Sequence, residues 1–192
     1  MIKIGITGSL ASGKSTVAKL ISRGKYPVFN ADRIVSNLYK KRNFIKKIKK
    51  EFNIINSKNI KKKIKNLIKK DKKKLKKLES IIHPLVRKEM KSLIRSKKNN
   101  KIVIFDIPLL IESKLMKYFD IIVFVSAKRN MRLKRYLYKQ GNRKIFTILD
   151  KRQITPSKKI KISDHVIYNN SSIKILKKNV KFLMNKLWMK YF

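Results

Sequence analysis

The stretch "GSLASGKST" at residues 8–16, directly after the apolar run "IKIGIT", restricts the possible folds more than any other part of the chain. Gly8, Gly13, Lys14 and Ser15 satisfy G-x-x-x-x-G-K-[ST], the spacing of a loop that wraps a phosphate. Small residues let successive backbone N–H groups turn inward around the anion, and a following helix adds its positive end. Both neighbours are present as patterns. A β-branched strand covers residues 2–7, and "STVAKLISRG" reads as a helix closed by Gly24 as a left-handed cap. Three of the five glycines fall between residues 5 and 13, so composition does not explain the match. The competing reading, an ordinary strand–helix turn with a lysine in it, needs four features to coincide by chance. The spacing predicts that Lys14 bridges the outer phosphates of a nucleoside triphosphate and that the Ser15 hydroxyl helps hold Mg²⁺.

The rest of the chain fits a fold of that kind. "YPVFNAD", "KIVIFDIP", "DIIVFVSA" and "DHVIYNN" read as four further strands, the middle two almost continuously apolar as buried parallel strands are. "NMRLKRYLYKQ", "KIFTILDKRQI" and the closing "SIKILKKNVKFLMNKLWMKYF" read as helices. From about residue 34 to 95 the text is lysine-rich and helical, with Ile and Leu spaced three and four apart. Strands alternating with helices predict an α/β fold, a five-stranded doubly wound parallel sheet in one domain. Ligands of such sheets bind beyond the C-terminal strand ends.

Composition narrows the partners. With 43% hydrophobic residues the chain has the means for a core, and without cysteine it holds no disulfide or Cys-ligated metal. No apolar run approaches the ~18 residues of a membrane span, and no signal-peptide core is present. A cytoplasmic protein without membrane attachment is expected. The charge is extreme, 53 Lys+Arg against 10 Asp+Glu, or +43. A nucleic-acid binder is one reading of that excess. Drift toward A/T-rich codons is the favoured one, because the lysines run along the whole length instead of forming a patch interleaved with aromatics.

In such a chain each carboxylate is informative. Asp32 closes "FNAD" and Asp106 lies near the end of "VIFDIP", behind four apolar residues as the acid of a phosphoryl-transfer metal site does. One carboxylate to position an acceptor hydroxyl and one to hold metal-bound water would serve that chemistry. A helix N-cap is the alternative for Asp32. Glu112 and Asp120 are assigned structural roles. Pro84 is expected to open a helix, with His83 just before it. Arg135 and Arg143 fall on or after the basic helix that follows the fourth strand, where a closing segment supplies an arginine to the transition state. Solvated surface is the plainer reading of either arginine.

Taken together, "ITGSLASGKSTVAKL", "VFNADRIV", "IIHPLVR", "VIFDIPLLIES", "DIIVFVSA", "RLKRYL", Gln153 and "SDHVIYNNSS" resemble dephospho-coenzyme A kinases, phosphate-loop kinases of the nucleoside-monophosphate-kinase type. The resemblance runs from residue 2 to about residue 180. It implies transfer of the ATP γ-phosphate to the ribose 3′-hydroxyl of dephospho-coenzyme A, with ATP and Mg²⁺ as cofactors; a monomer is expected. It implies a core over residues 1–32 and 96–192, a helical acceptor-binding insert over 33–95 and a lid over about 128–153. It implies Asp32 as the acceptor-orienting base, and Ala11, Ser12, Gly13, Lys14, Ser15 and Thr16 as the ATP loop. It further implies Arg135 and Arg143 in the lid, and Asn169 near the adenine. The chain departs from the family pattern at Asn30, where the first aspartate of an Asp-Ala-Asp motif is expected, and at Ser9 and Ala11, which replace loop glycines. Another small-metabolite or nucleotide kinase is the nearer rival, and a nucleic-acid-binding protein the rival of a different class.

Overall fold

The structure, a computed structural model, describes residues 1–55 and 59–191. Lys58, at the head of "KNIKKKIKNLIKK", lies outside them. The chain divides into two compact units, one made of Met1–Asn30 with Lys97–Phe192 and one of Ala31–Ser96.

The first unit holds five strands: β1 (Ile2–Gly8), β2 (Val28–Asn30), β3 (Ile102–Asp106), β4 (Ile121–Ser126) and β5 (His165–Tyr168). They form a single sheet in the order β2-β3-β1-β4-β5. Every pairing is parallel, as the apolar runs predict. The order reverses on either side of β1, which makes its C-terminal end the switch point where such sheets bind ligands. Alternate residues of the strands, among them Ile4, Ile6, Ile104, Val123 and Val125, share a buried cluster with α1 (Lys14–Ser22) and α9 (Ile173–Tyr191). Each fully buried aliphatic there stabilises the fold by roughly 1.5–3 kcal/mol. The unit also contains α6 (Arg129–Tyr138), α7 (Arg143–Lys151) and α8 (Pro156–Lys161). The short α8 has no counterpart in the periodicity. It is six residues long and starts on a proline, too brief for an amphipathic pattern.

The second unit is helical: α2 (Ala31–Leu38), α3 (Arg42–Phe52), α4 (Ile60–Lys70) and α5 (Lys72–Ser96). Its buried residues, such as Phe44, Ile48, Ile64, Leu78 and Met90, recur at helical spacing.

Two local expectations are corrected. The left-handed position after α1 begins at Arg23, with φ 46°, whose N–H bonds to the Lys19 carbonyl; Gly24 follows with φ 73°. Pro84 does not open a helix but lies inside α5. The missing N–H would have bonded to the carbonyl of Ser80, and both residues are exposed, so that end of the lost bond lies where solvent can reach it. Leu78, Ile81 and Ile82 before the proline and Val86 and Met90 after it are all buried, and their packing carries the helix through.

Candidate active site

β1 delivers the chain into the loop at Gly8. A Cβ on Gly8 would lie 2.6 Å from the Val125 carbonyl and 2.9 Å from Lys14 Cγ, so only glycine lets the loop leave the sheet this closely. Gly13 caps α1 with φ 97°, and a side chain there would run into the Asn169 amide. The Ser12 N–H closes a turn on the Ser9 carbonyl at 3.1 Å. The first turn of α1 carries no acidic residue, and its backbone N–H groups lack partners within the helix. Lys14, half-buried, and Ser15 and Thr16, exposed, start that turn. A ring of small residues around a helix N-terminus is a receptor for phosphate.

Asp106 ends β3, beside β1, and is buried. The Ser15 hydroxyl donates to its Oδ2 at 2.5 Å, and the Asn30 side-chain amide donates to the same oxygen at 2.8 Å. Its other oxygen, Oδ1, is buried with no hydrogen-bond partner among the described residues. A buried carboxylate with one bare oxygen next to a hydroxyl is a hard donor pair, and it suits a divalent cation or water bound to one. Asn30 does here what an ionised aspartate would not, because it gives a hydrogen to Asp106 instead of adding a second negative charge.

On the other side of β1, Asn169 follows β5 and is buried. Its amide donates to the Ser12 carbonyl at 2.8 Å. The backbone and side-chain oxygens of Asn169 accept from Arg135 Nη2 at 3.0 and 3.3 Å. The second terminal nitrogen of Arg135, Nη1, is buried and has no partner among the described residues. Arg135 and Asn169 are thus drawn to the phosphate loop itself. Arg143 is exposed at the first residue of α7, and no contact of its side chain with the loop is seen among the described residues. Asp32 is exposed in the first turn of α2, where the helix dipole favours a carboxylate. It belongs to the second unit.

Two further residues reach the loop, and a third holds one of them. Gln153 Oε1 accepts the Leu10 N–H at 3.0 Å, and Arg132 Nη1 donates to the Leu10 carbonyl at 3.3 Å and to Asp150 at 2.5 Å. Asp150 is one of only ten carboxylates, which was the available signal for it. Glu112 and Asp120 have the structural roles expected of them. Glu112 pairs with fully buried Lys159 at 2.6 Å and accepts from the Ile154 N–H at 3.2 Å, while Asp120 accepts from the Lys3 N–H at 2.7 Å.

Comparison with known proteins shows the family. A family model for dephospho-CoA kinase matches residues 2–174. A dephospho-CoA kinase of Fusobacterium nucleatum is 38% identical over 182 residues, covering 92% of this chain and 94% of that one. One from Bartonella henselae is 35% identical over 189 residues, covering 96% and 97%. The crystal structure of TT1252 from Thermus thermophilus superposes with a TM-score of 0.83 at 28% identity, covering 97% of each chain. Matched by the family model across its sheet and loop, and by both relatives nearly end to end, the chain belongs to the dephospho-CoA kinase family.

Proposed function

We infer that the chain transfers the γ-phosphoryl group of ATP to the ribose 3′-hydroxyl of dephospho-CoA, forming CoA and ADP as the last step of CoA synthesis. The family match over residues 2–174 carries this reading, and the phosphate loop gives it a physical site. The 3′-oxygen bonds to the γ-phosphorus, the bond to the β–γ bridging oxygen breaks with ADP as the leaving group, and the hydroxyl proton passes to a carboxylate. That carboxylate is Asp32. Three features support it: its exposure, its place in the first turn of α2, and its lone negative charge in the "FNADRIV" segment. Backbone amides at the start of α1 hold the phosphates of the donor, Lys14 lies along the outer two, and Gly8, Ala11, Ser12, Gly13 and Thr16 complete the cradle. Arg135 Nη1, which has no partner among the described residues, supplies charge to the transferred group, and Asn169 orients that arginine.

Mg²⁺ fits the Ser15 hydroxyl and the bare Oδ1 of Asp106. Held by those two groups, the ion would offset the negative charge on the phosphate oxygens. Residues 33–95 serve as the acceptor-binding insert, and residues 128–153 as a lid that brings Arg143 toward the nucleotide. The enzyme acts as a monomer in the cytoplasm. Among the described residues no helix is long and apolar enough to cross a membrane.

Because one scaffold serves many acceptors, the test is acceptor choice. In a coupled ADP-release assay offering dephospho-CoA, AMP, CMP or shikimate, turnover is expected with dephospho-CoA alone. Turnover with another acceptor and none with dephospho-CoA would reject the assignment.

A further inference from the structure

Gln153 takes no part in the chemistry above, yet its side chain reaches the crest of the phosphate loop. Its Oε1 accepts the Leu10 N–H, and Arg132 donates to the Leu10 carbonyl, so side chains hold both backbone polar groups of that residue. Arg132 is itself rigidly held. It is buried, its two terminal nitrogens bond to the two oxygens of Asp150 at 2.5 and 3.3 Å, and its Nε bonds to the Ala127 carbonyl at 3.1 Å. Phe146, fully buried, lies beneath its guanidinium with the ring centre 5.6 Å away.

The residue after Leu10 is Ala11, with φ 59°. This is the left-handed region, where a Cβ meets the neighbouring carbonyl and glycine alone is unstrained. The Leu10 carbonyl belongs to the peptide plane whose rotation sets that angle. Relaxing Ala11 to a negative φ would swing this carbonyl away from Arg132. The Leu10 N–H is occupied by Gln153, which leaves the phosphates to the amides that follow.

We propose that Gln153 and Arg132 are positioning residues of the ATP site, which grip Leu10 from both sides and hold Ala11 left-handed so that the later loop amides face the phosphates. The grip also ties the loop to α7, because Asp150 lies on that helix and Gln153 two residues beyond it. The proposal rests on the loop being the ATP cradle.

A double-mutant cycle between Gln153→Met and Ala11→Gly tests it, because methionine keeps the shape but has no strong acceptor, and glycine removes the strain the grip opposes. The readouts are the dissociation constant of a non-hydrolysable ATP analogue by calorimetry and the two KM values. Q153M is expected to weaken the analogue about tenfold, or ~1.4 kcal/mol. The ATP KM should rise in parallel and the dephospho-CoA KM much less. In the A11G background the same substitution should cost threefold or less. No loss in Q153M, or the same loss in both backgrounds, overturns the proposal. Failure of the parent protein to bind the analogue instead rejects the ATP cradle. Should Q153M not fold, Gln153→Asn, whose acceptor is withdrawn by one methylene, completes the same cycle with the same criteria.

Discussion

At the scale of single residues, the site depends on which partners each polar atom has. Asp106 Oδ2 accepts from two side chains while Oδ1 has none among the described residues, so one carboxylate is half structural and half available. Asp32 is assigned the proton of the acceptor hydroxyl, and its removal should affect the chemical step and not donor binding. Asp32→Asn is expected to lower kcat by ~10² or more while the ATP affinity stays within about threefold, read by steady-state kinetics and calorimetry. Near-parental turnover would reduce Asp32 to a residue that favours the start of α2. The Gly8, Lys14 and Ser15 spacing was legible because it is local and rests on few glycines. The hold of Gln153 and Arg132 on Leu10 was not, because it joins residues 143 and 122 positions apart.

At the scale of elements, α5 and β5 each carry a histidine whose environment disfavours its charge. Burial pushes the His83 pKa down, opposed by Glu79 and reinforced by Arg87. Burial also lowers that of His165, with Lys186 and Lys190 reinforcing the effect and Asp164 opposing it. Both imidazoles are therefore neutral in the folded chain at pH values where the unfolded chain has begun to protonate them, below about 6.5. In that window the unfolded state binds more protons, so stability is at its full value above pH 6.5 and falls as the pH drops toward the lowered folded-state values. Urea midpoints are expected to fall between pH 7.5 and 5.5, and to fall less in the His83→Gln/His165→Gln double variant. Equal slopes would show that these histidines are not the cause. The long α5 also shows where periodicity misleads. Pro84 reads locally as a helix start, and only the buried residues on both sides of it make it an interior residue.

At the scale of the whole molecule, a net charge of +43 on 192 residues is a self-repulsive field. Of the ten acidic residues, Glu51, Glu89 and Asp120 pair with lysines at side chains that stay at least partly exposed, and such pairs contribute little. Screening should therefore stabilise the fold. Raising KCl from 0.05 to 0.5 M shortens the Debye length from about 14 Å to about 4 Å. The melting temperature is expected to rise by at least ~3 °C, about 1 kcal/mol for a chain of this length, in a thermal-shift measurement. A salt-independent melting temperature would show that the surface charges are already compensated.

The amino-acid sequence by itself determined the alternation of strands and helices, the phosphate loop with its lysine and serine, and the kinship carried by its later motifs. Each of these depends on residues close together in the chain, where period and backbone freedom act. Only the tertiary structure decided which distant groups meet: Ser15 and Asn30 on Asp106, Asn169 on Ser12 with Arg135 on Asn169, Gln153 and Arg132 on Leu10. Those meetings follow from the order β2-β3-β1-β4-β5, which sets β1 between strands that lie far from it in sequence. Strand order is settled by burial across the whole sheet, a sum over many side chains that no short stretch of sequence contains.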